Sequence, residues 1–424
     1  MMGLLSPYRV VDLTDERGLL AGRLLADLGA DVVQVEAPGG SSARRCPPFL
    51  AAGTPQQESL FWDAYAANKR GIMADLDQPD GQQLVRQLAG RADFLFESAT
   101  PGVMAARGLD WPDLRALNPS LIYVSITAFG RSGPKSGYAD SDLIVWAAGG
   151  PLNPHRDGDR PPLRISLPQA YLQASADAAG GALIAHHARV RSGLGQHVDV
   201  SAQASLGLAS LGQVLAHAVG DEHPEFEPAP RRMDQSGSGS GTDPTQKKWR
   251  CQDGLIEFHV GVGPAAGGFT SAFFKWLADE GEPVQEFVEL DWRRVPVLME
   301  EGSCTEADLQ RARAAVASFL SRKTKAEVLQ AAMERKLLCV PIYDTADVAH
   351  SAQLAARNYW VQLGEGSRQR RLPGRFAQVS IDGFAFRRPA PRVGEHTAEV
   401  LQEWLGGARE RPAGPAGQHA EVPA

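Results

Sequence analysis

The chain has 424 residues, of which 43% are hydrophobic and 22% charged, a balance that makes a folded globular protein and excludes an intrinsically disordered one. Lys and Arg total 43 against 50 Asp and Glu, a net charge of -7, so a nucleic-acid groove is not indicated. No apolar run approaches the roughly 20 residues of a bilayer span and no cationic leader opens the chain, so the expected place is the cytoplasm, away from membranes.

Up to about residue 220, short β-branched runs alternate with helix-like segments, the pattern of a parallel sheet covered by helices, and the fold class is α/β. Arg9 to Leu13, Asp31 to Glu36, Gly71 to Leu76, Ala92 to Ser98 and Leu121 to Phe129 read as strands. Between them, Gly18 to Leu28 carries leucines near helical spacing, and Pro79 to Leu88 opens with a proline suited to a first helical turn. The Ala-rich stretch Gln169 to Arg189 predicts a buried helix, stopped by Gly193-Leu194-Gly195-Gln196 and followed by a strand over His197 to Ser201. Residues 221–248, rich in Pro, Gly, Ser and charge, read as a linker. Residues 249–340 then form a smaller α+β domain, 341–405 a further segment ending in a helix near His396 to Leu405, and 406–424 a tail expected to be disordered.

Motif reading alone yields little. There is no GxGxxG after the first strand, no P-loop, no GxSxG and no HExxH. His186 and His187 are consecutive on a helix and point about 100° apart, so they cannot converge on one ion. Cys46, Cys251, Cys304 and Cys339 are far apart without a CxxC pair; reduced thiols, no disulfide framework and no metal are expected.

A series of phrases in order carries more. It runs Leu28-Gly29-Ala30-Asp31-Val32, Asn68-Lys69-Arg70-Gly71, Pro101-Gly102-Val103-Met104, Leu117-Asn118-Pro119 and Phe129-Gly130-Arg131-Ser132-Gly133-Pro134. Gly193-Leu194-Gly195-Gln196-His197-Val198-Asp199-Val200-Ser201 and Gly394-Glu395-His396-Thr397 complete it. From Tyr8 to about Leu405 the chain resembles the family III CoA-transferases, the formyl-CoA transferase and CaiB/BaiF group. The resemblance implies a Rossmann-like large domain built from both ends of the chain, so that 341–405 returns to it, and a smaller domain between. It also implies two subunits interlocked like links, with coenzyme A bound as an acyl-CoA substrate. Lys69 matches the family's nucleotide-contacting lysine, with Asn68 and Arg70 shaping the loop. Relatives show Glu-Asn-Phe where this chain has Glu97-Ser98-Ala99, which leaves backbone contacts at Ser98 and Ala99 and removes an amide and an aromatic face. Ser236, Gly237, Ser238, Gly239, Ser240 and Gly241 stand where relatives carry a flexible lid, although a plain linker has the same composition.

The departure is at the nucleophile. Relatives carry an aspartate at the start of the helix before the Gly-x-Gly-Gln turn, and counting back from Gly193 puts Tyr171 there. In the family chemistry a carboxylate attacks the donor thioester, releasing CoA thiolate and forming an anhydride. The thiolate then attacks the enzyme acyl carbon, releasing the donor acid and leaving an enzyme thioester. A phenol has no carbonyl to take part. Asp177, six residues on and nearly two turns away, is a weak substitute. A racemase, which relatives of the Gly-His-Asp type exemplify, is disfavoured because Ser141 stands at the histidine position beside Asp140 and Asp142. The expected function is thus a CoA-transferase component acting on carboxylic acids and acyl-CoA, the subunit without the aspartate in a heteromer with a paralogous chain, as in the benzylsuccinate type. A self-sufficient homodimer with an altered mechanism, or a non-catalytic CoA-binding scaffold, are the alternatives.

Overall fold

A computed structural model describes residues 3–50, 58–153, 161–220, 247–381 and 383–407. The Ser236–Gly241 segment and the tail from 408 onward lie outside the described residues. Two compact units are present: residues 3–153 and 162–220 with those from Leu354 onward form one, and 247 to Gln353 form the other.

The first unit begins with β1 (Arg9–Asp12), α1 (Leu19–Asp27), β2 (Asp31–Glu36), α2 (Leu60–Tyr65), β3 (Arg70–Met73) and α3 (Pro79–Ala89). It continues through β4 (Phe94–Glu97), α4 (Val103–Ala106), α5 (Trp111–Leu117), β5 (Ile122–Thr127), α6 (Asp142–Gly149), α7 (Gln169–Ser192), β6 (His197–Ser201), α8 (Ala202–Gly207) and α9 (Leu211–Ala218). The six strands make one parallel sheet in the order β3-β2-β1-β4-β5-β6. Alternation along each strand feeds both faces. Val10, Val32, Phe94, Ile122 and Val124 pack under α1, α6, α7 and α8, whereas Val11, Val33, Leu95 and Tyr123 pack on the other side. Continuous apolar runs such as Leu121 to Ile126 are therefore what a strand buried on both faces requires.

The long α7 follows from its composition. Ala170, Ala174, Ala178, Ala182 and Ala185 are buried, small side chains letting it lie close to the sheet, and Gly193 in the left-handed region (φ 72°) ends it.

In the second unit, β7 (Lys248–Cys251), β8 (Gly254–Phe258), α10 (Gly263–Asp279), α11 (Gln285–Glu289), α12 (Val295–Glu300), α13 (Glu306–Leu320), α14 (Lys325–Arg335), β9 (Cys339–Ile342) and α15 (Thr345–Ala349) follow. Reciprocal Thr305–Asp308 and Thr324–Glu327 capping boxes start α13 and α14. β9 pairs antiparallel with β8, Leu255 opposite Ile342, so the chain stays in this unit well past residue 341 and rejoins the first only at Leu354. Around that boundary lies α16 (Ala352–Ala356), then the hairpin β10 (Trp360–Leu363) and β11 (Arg370–Pro373), and finally α17 (Thr397–Leu405). Val400 and Trp404 of α17 join the core on the α3 side of the parallel sheet. Cys304 and Cys339 are buried free thiols, and Cys46 and Cys251 are half-buried.

Candidate functional site

The strand order reverses direction between β1 and β4, and in open parallel sheets ligands bind at the carboxyl ends of strands at that point. The turns leaving β1 and β4 are stitched together there. Asp15 N–H donates to Ser98 Oγ (3.0 Å), and Ser98 Oγ donates back to Asp15 Oδ1 (2.9 Å). Arg17 grips the same carboxylate, its Nη2 at 2.6 Å from Oδ2, and reaches Asp140 at 3.4 Å. Burial opposes the charge on Arg17, but the Asp15 hydrogen bond and the Asp15 and Asp140 carboxylates outweigh it and hold the guanidinium pKa above its ordinary value.

Tyr171 borders this cluster. It sits in the first turn of α7, 5% exposed and part of the core, and Ser175 one turn on donates to the Arg17 carbonyl at 3.2 Å. The Asp140 carboxylate approaches Tyr171 Oη, yet Oη makes no hydrogen bond of proper geometry. Burial first, then Asp140, push the phenol pKa upward, so it stays protonated. The first turn of α7 holds no acidic residue. Asp177 is exposed while Tyr171 is buried, as expected for positions 600° apart in helical phase, and so the two side chains do not share a face. The start of α7 is anchored from a distance: Asp142 Oδ1 accepts Ala170 N–H at 3.0 Å and pairs with Arg164 at 3.3 Å. Ser141 is the N-cap of α6, accepting from Ile144 N–H, and Asp142 is an acid of its first turn.

Asn68-Lys69-Arg70 lies elsewhere in function. Lys69 is 0% exposed, and its Nζ donates to Asp12 Oδ2 (2.8 Å), Leu19 O (2.8 Å) and Gln34 Oε1 (3.0 Å), which uses all three protons. Nothing remains of it for a nucleotide phosphate, so the expected contact is replaced by a buried structural ion pair. Burial pulls its pKa down against the pull of Asp12. Asn68, at φ 68°, donates to Asp27 and Ala385 O and accepts from Arg387 N–H, while Arg70 binds Asp31, Glu399 and Glu403. Both tie the returning C-terminal segment to the first half of the unit. Gly22 of α1 is what admits the Lys69 pair, since a Cβ there would lie 2.0 Å from Asp12 Oδ2.

Ser98 and Ala99 are also held by protein groups. Glu97, 2% exposed, accepts Ala99 N–H at 2.7 Å, which takes the amide that a ligand would use; burial raises its pKa. Beside this turn, Ser125 Oγ and His197 Nε2 are 2.9 Å apart, and Arg131 binds Asp110 through two 2.6 Å contacts. A crevice of about 240 Å³ opens at the ends of β1, β2 and β3, lined by Thr14, Asp15, Glu36, Asp75, Asp77 and Arg107 among others. Arg107, the one cation among the described residues that line it, is paired with Asp77. Sequence reasoning did not single out Asp15 or Arg17, whose signal is their place just after the β-branched run of the first strand, and it noted Glu97 only as part of the Glu97-Ser98-Ala99 phrase. Among the described residues no cluster of three His, Cys, Asp or Glu could hold a metal, and no helix is long and apolar enough to cross a membrane.

Comparison with known proteins agrees with this architecture. The succinyl-CoA:(R)-benzylsuccinate CoA-transferase subunit BbsE of Thauera aromatica is 33% identical over 414 residues, 94% of this chain and 93% of that one. The succinate–glutarate CoA-transferase of Agrobacterium fabrum is 30% identical over 427 residues, 94% and 95% of the two chains. A crystal structure of a CaiB/BaiF family protein from Brucella suis superposes with a TM-score of 0.75 at 26% identity, covering 95% of this chain and 100% of its own. With the pattern that defines CoA-transferase family III matching residues 5–397 as well, the chain belongs to that family.

Proposed function

We propose that this chain is the subunit without a nucleophilic carboxylate in a family III CoA-transferase of two unlike chains, which moves CoA between carboxylic acids and their thioesters. The observation that carries the reading is Tyr171, a buried phenol in the first turn of α7 with no acid beside it in that turn. A phenol kept protonated by burial can pack or donate one hydrogen bond, but it cannot become an anhydride or an enzyme thioester. The partner chain would supply the carboxylate. BbsE, also named as a subunit, supports the heteromer, and both relatives act with succinate or succinyl-CoA, which makes succinyl-CoA the first donor to assay.

The test is covalent trapping. The pure chain incubated with succinyl-CoA and then hydroxylamine should show no modified carboxylate by mass spectrometry, whereas the assembled enzyme should show one on the partner. Robust transfer by the pure chain, undiminished in Tyr171→Phe and lost in Asp177→Asn, would overturn the reading.

A further inference from the structure

A cavity of about 660 Å³, bordered by described residues, belongs to the first unit and is not the strand-end crevice. We propose that it binds a small organic monocarboxylate. The inference does not depend on Tyr171 or on the heteromer.

Its size suits a small molecule, and one wall is apolar, made by Leu372, Pro389 and Pro391 with Trp62 beneath. The Arg44 guanidinium stacks over the Trp62 ring, 3.9 Å from its centroid. Four arginines line the same space, Arg44, Arg368, Arg370 and Arg392.

Their partners separate them into two kinds. Arg44 is held by Glu36 through bonds of 2.6 and 2.7 Å, and Arg370 by Asp63 at 2.6 Å and Glu58 at 3.0 Å. Those two are neutralised. Arg368 donates to the Ala390 carbonyl at 2.6 Å and meets a carboxylate, Glu395, only at 3.4 Å. Arg392 is exposed, and its guanidinium has no partner among the described residues; its backbone alone is used, the N–H donating to the Glu395 carboxylate and the carbonyl accepting from Glu395 N–H. Two guanidiniums with donors to spare thus face one apolar-walled space, and they share a single acid. The surplus acid near Arg370 is Glu58, 58% exposed at the side chain, where solvent screens it. Four guanidiniums thus meet four carboxylates, Glu36, Glu58, Asp63 and Glu395, but the forks of Arg368 and Arg392 keep unused donors, and a forked guanidinium matches the two oxygens of a carboxylate. A lining in which cations and carboxylates balance favours a monoanion over a phosphate dianion. Free carboxylic acids are what the family's reaction consumes and releases, so such a ligand is at hand wherever the enzyme works.

The experiment is titration of the full chain with benzoate, benzamide and benzyl phosphate, followed by ligand-observed NMR. Benzoate should bind and benzamide should not. Arg392→Ser, which removes an exposed side chain without internal bonds, should weaken benzoate at least about tenfold while circular dichroism stays unchanged. Absence of benzoate binding, or binding unaltered by Arg392→Ser, overturns the proposal. Benzamide binding as well as benzoate removes the charge argument, and benzyl phosphate binding without benzoate removes the carboxylate. Loss of benzoate in Arg107→Ser would instead move the site to the strand-end crevice and equally refute this one.

Discussion

Asp15 and Ser98, 83 residues apart, exchange two hydrogen bonds across the gap between β1 and β4. The Ser98 hydroxyl fixes the Asp15 backbone by accepting its N–H and fixes the Asp15 side chain by donating to its carboxylate, which Arg17 then neutralises. Ser98→Ala deletes both bonds and leaves Asp15 N–H without its acceptor. The expected loss is about 1–2 kcal/mol of unfolding free energy, read as a lower urea midpoint at unchanged m-value.

Lys69 separates a structural role from a ligand-binding one. Removing the ammonium in Lys69→Met leaves Asp12 charged, wholly buried and short of a cation, and breaking a buried pair in this way costs about 3–5 kcal/mol. The prediction is a variant that melts much earlier or accumulates as insoluble protein. A lysine that served only to meet phosphate would instead give a stable protein with weakened CoA binding, measured by calorimetry.

The sheet was legible where strands are buried on both faces, as Asp31 to Glu36 is, and that strand and the half-exposed edge strand His197 to Ser201 appear in the structure with the bounds the sequence suggested. The family phrases are legible for a related reason: they bond to one another. Gly195 N–H donates to Pro119 O, Tyr123 N–H to Gln196 O and Arg131 N–H to Asp199, and a Cβ on Gly195 would sit 1.8 Å from Leu121 O. What sequence could not show is which polar residues are spent on such bonds. Lys69 looks like any surface lysine until Asp12, 57 positions earlier, and Gly22 are seen around it. The hairpin β10–β11 was also missed, since its strands are four residues each, with one buried leucine apiece, Leu363 and Leu372, and Arg370 and Arg371 beside the latter. The Ser236–Gly241 segment falls outside the described residues.

The Asp110–Arg131 pair should leave a pH signature. The Arg131 hydrogen bonds chiefly, aided by Trp111 N–H, hold the Asp110 carboxyl below its ordinary pKa. A carboxyl whose pKa is lower in the folded state stabilises the fold above its unfolded value of about 3.9, and that contribution fades as pH falls through the folded value. Solvent reaches the pair, which limits its worth to about 1 kcal/mol. The gap in melting temperature between wild type and Asp110→Asn should therefore be widest near neutral pH and close below about pH 4. A gap that stays constant or grows on acidification would contradict the assignment.

Tyr171→Phe offers the sharpest contrast between packing and chemistry. The ring is buried in the core beside Ala170 and Ala174, whereas Oη is buried without a hydrogen bond. An unsatisfied buried hydroxyl carries a desolvation cost that phenylalanine lacks, while the ring contacts are the same in both. The variant should accordingly be as stable as wild type or more stable by up to about 1 kcal/mol, measured by thermal and urea unfolding. Activity of the assembled enzyme should not change, because no step of the carboxylate chemistry uses the phenol. A destabilised variant would mean that Oη has a partner in solution, such as Asp140. A stable variant with lost activity would give Tyr171 a direct part in the reaction and remove the argument that the nucleophile resides on another chain.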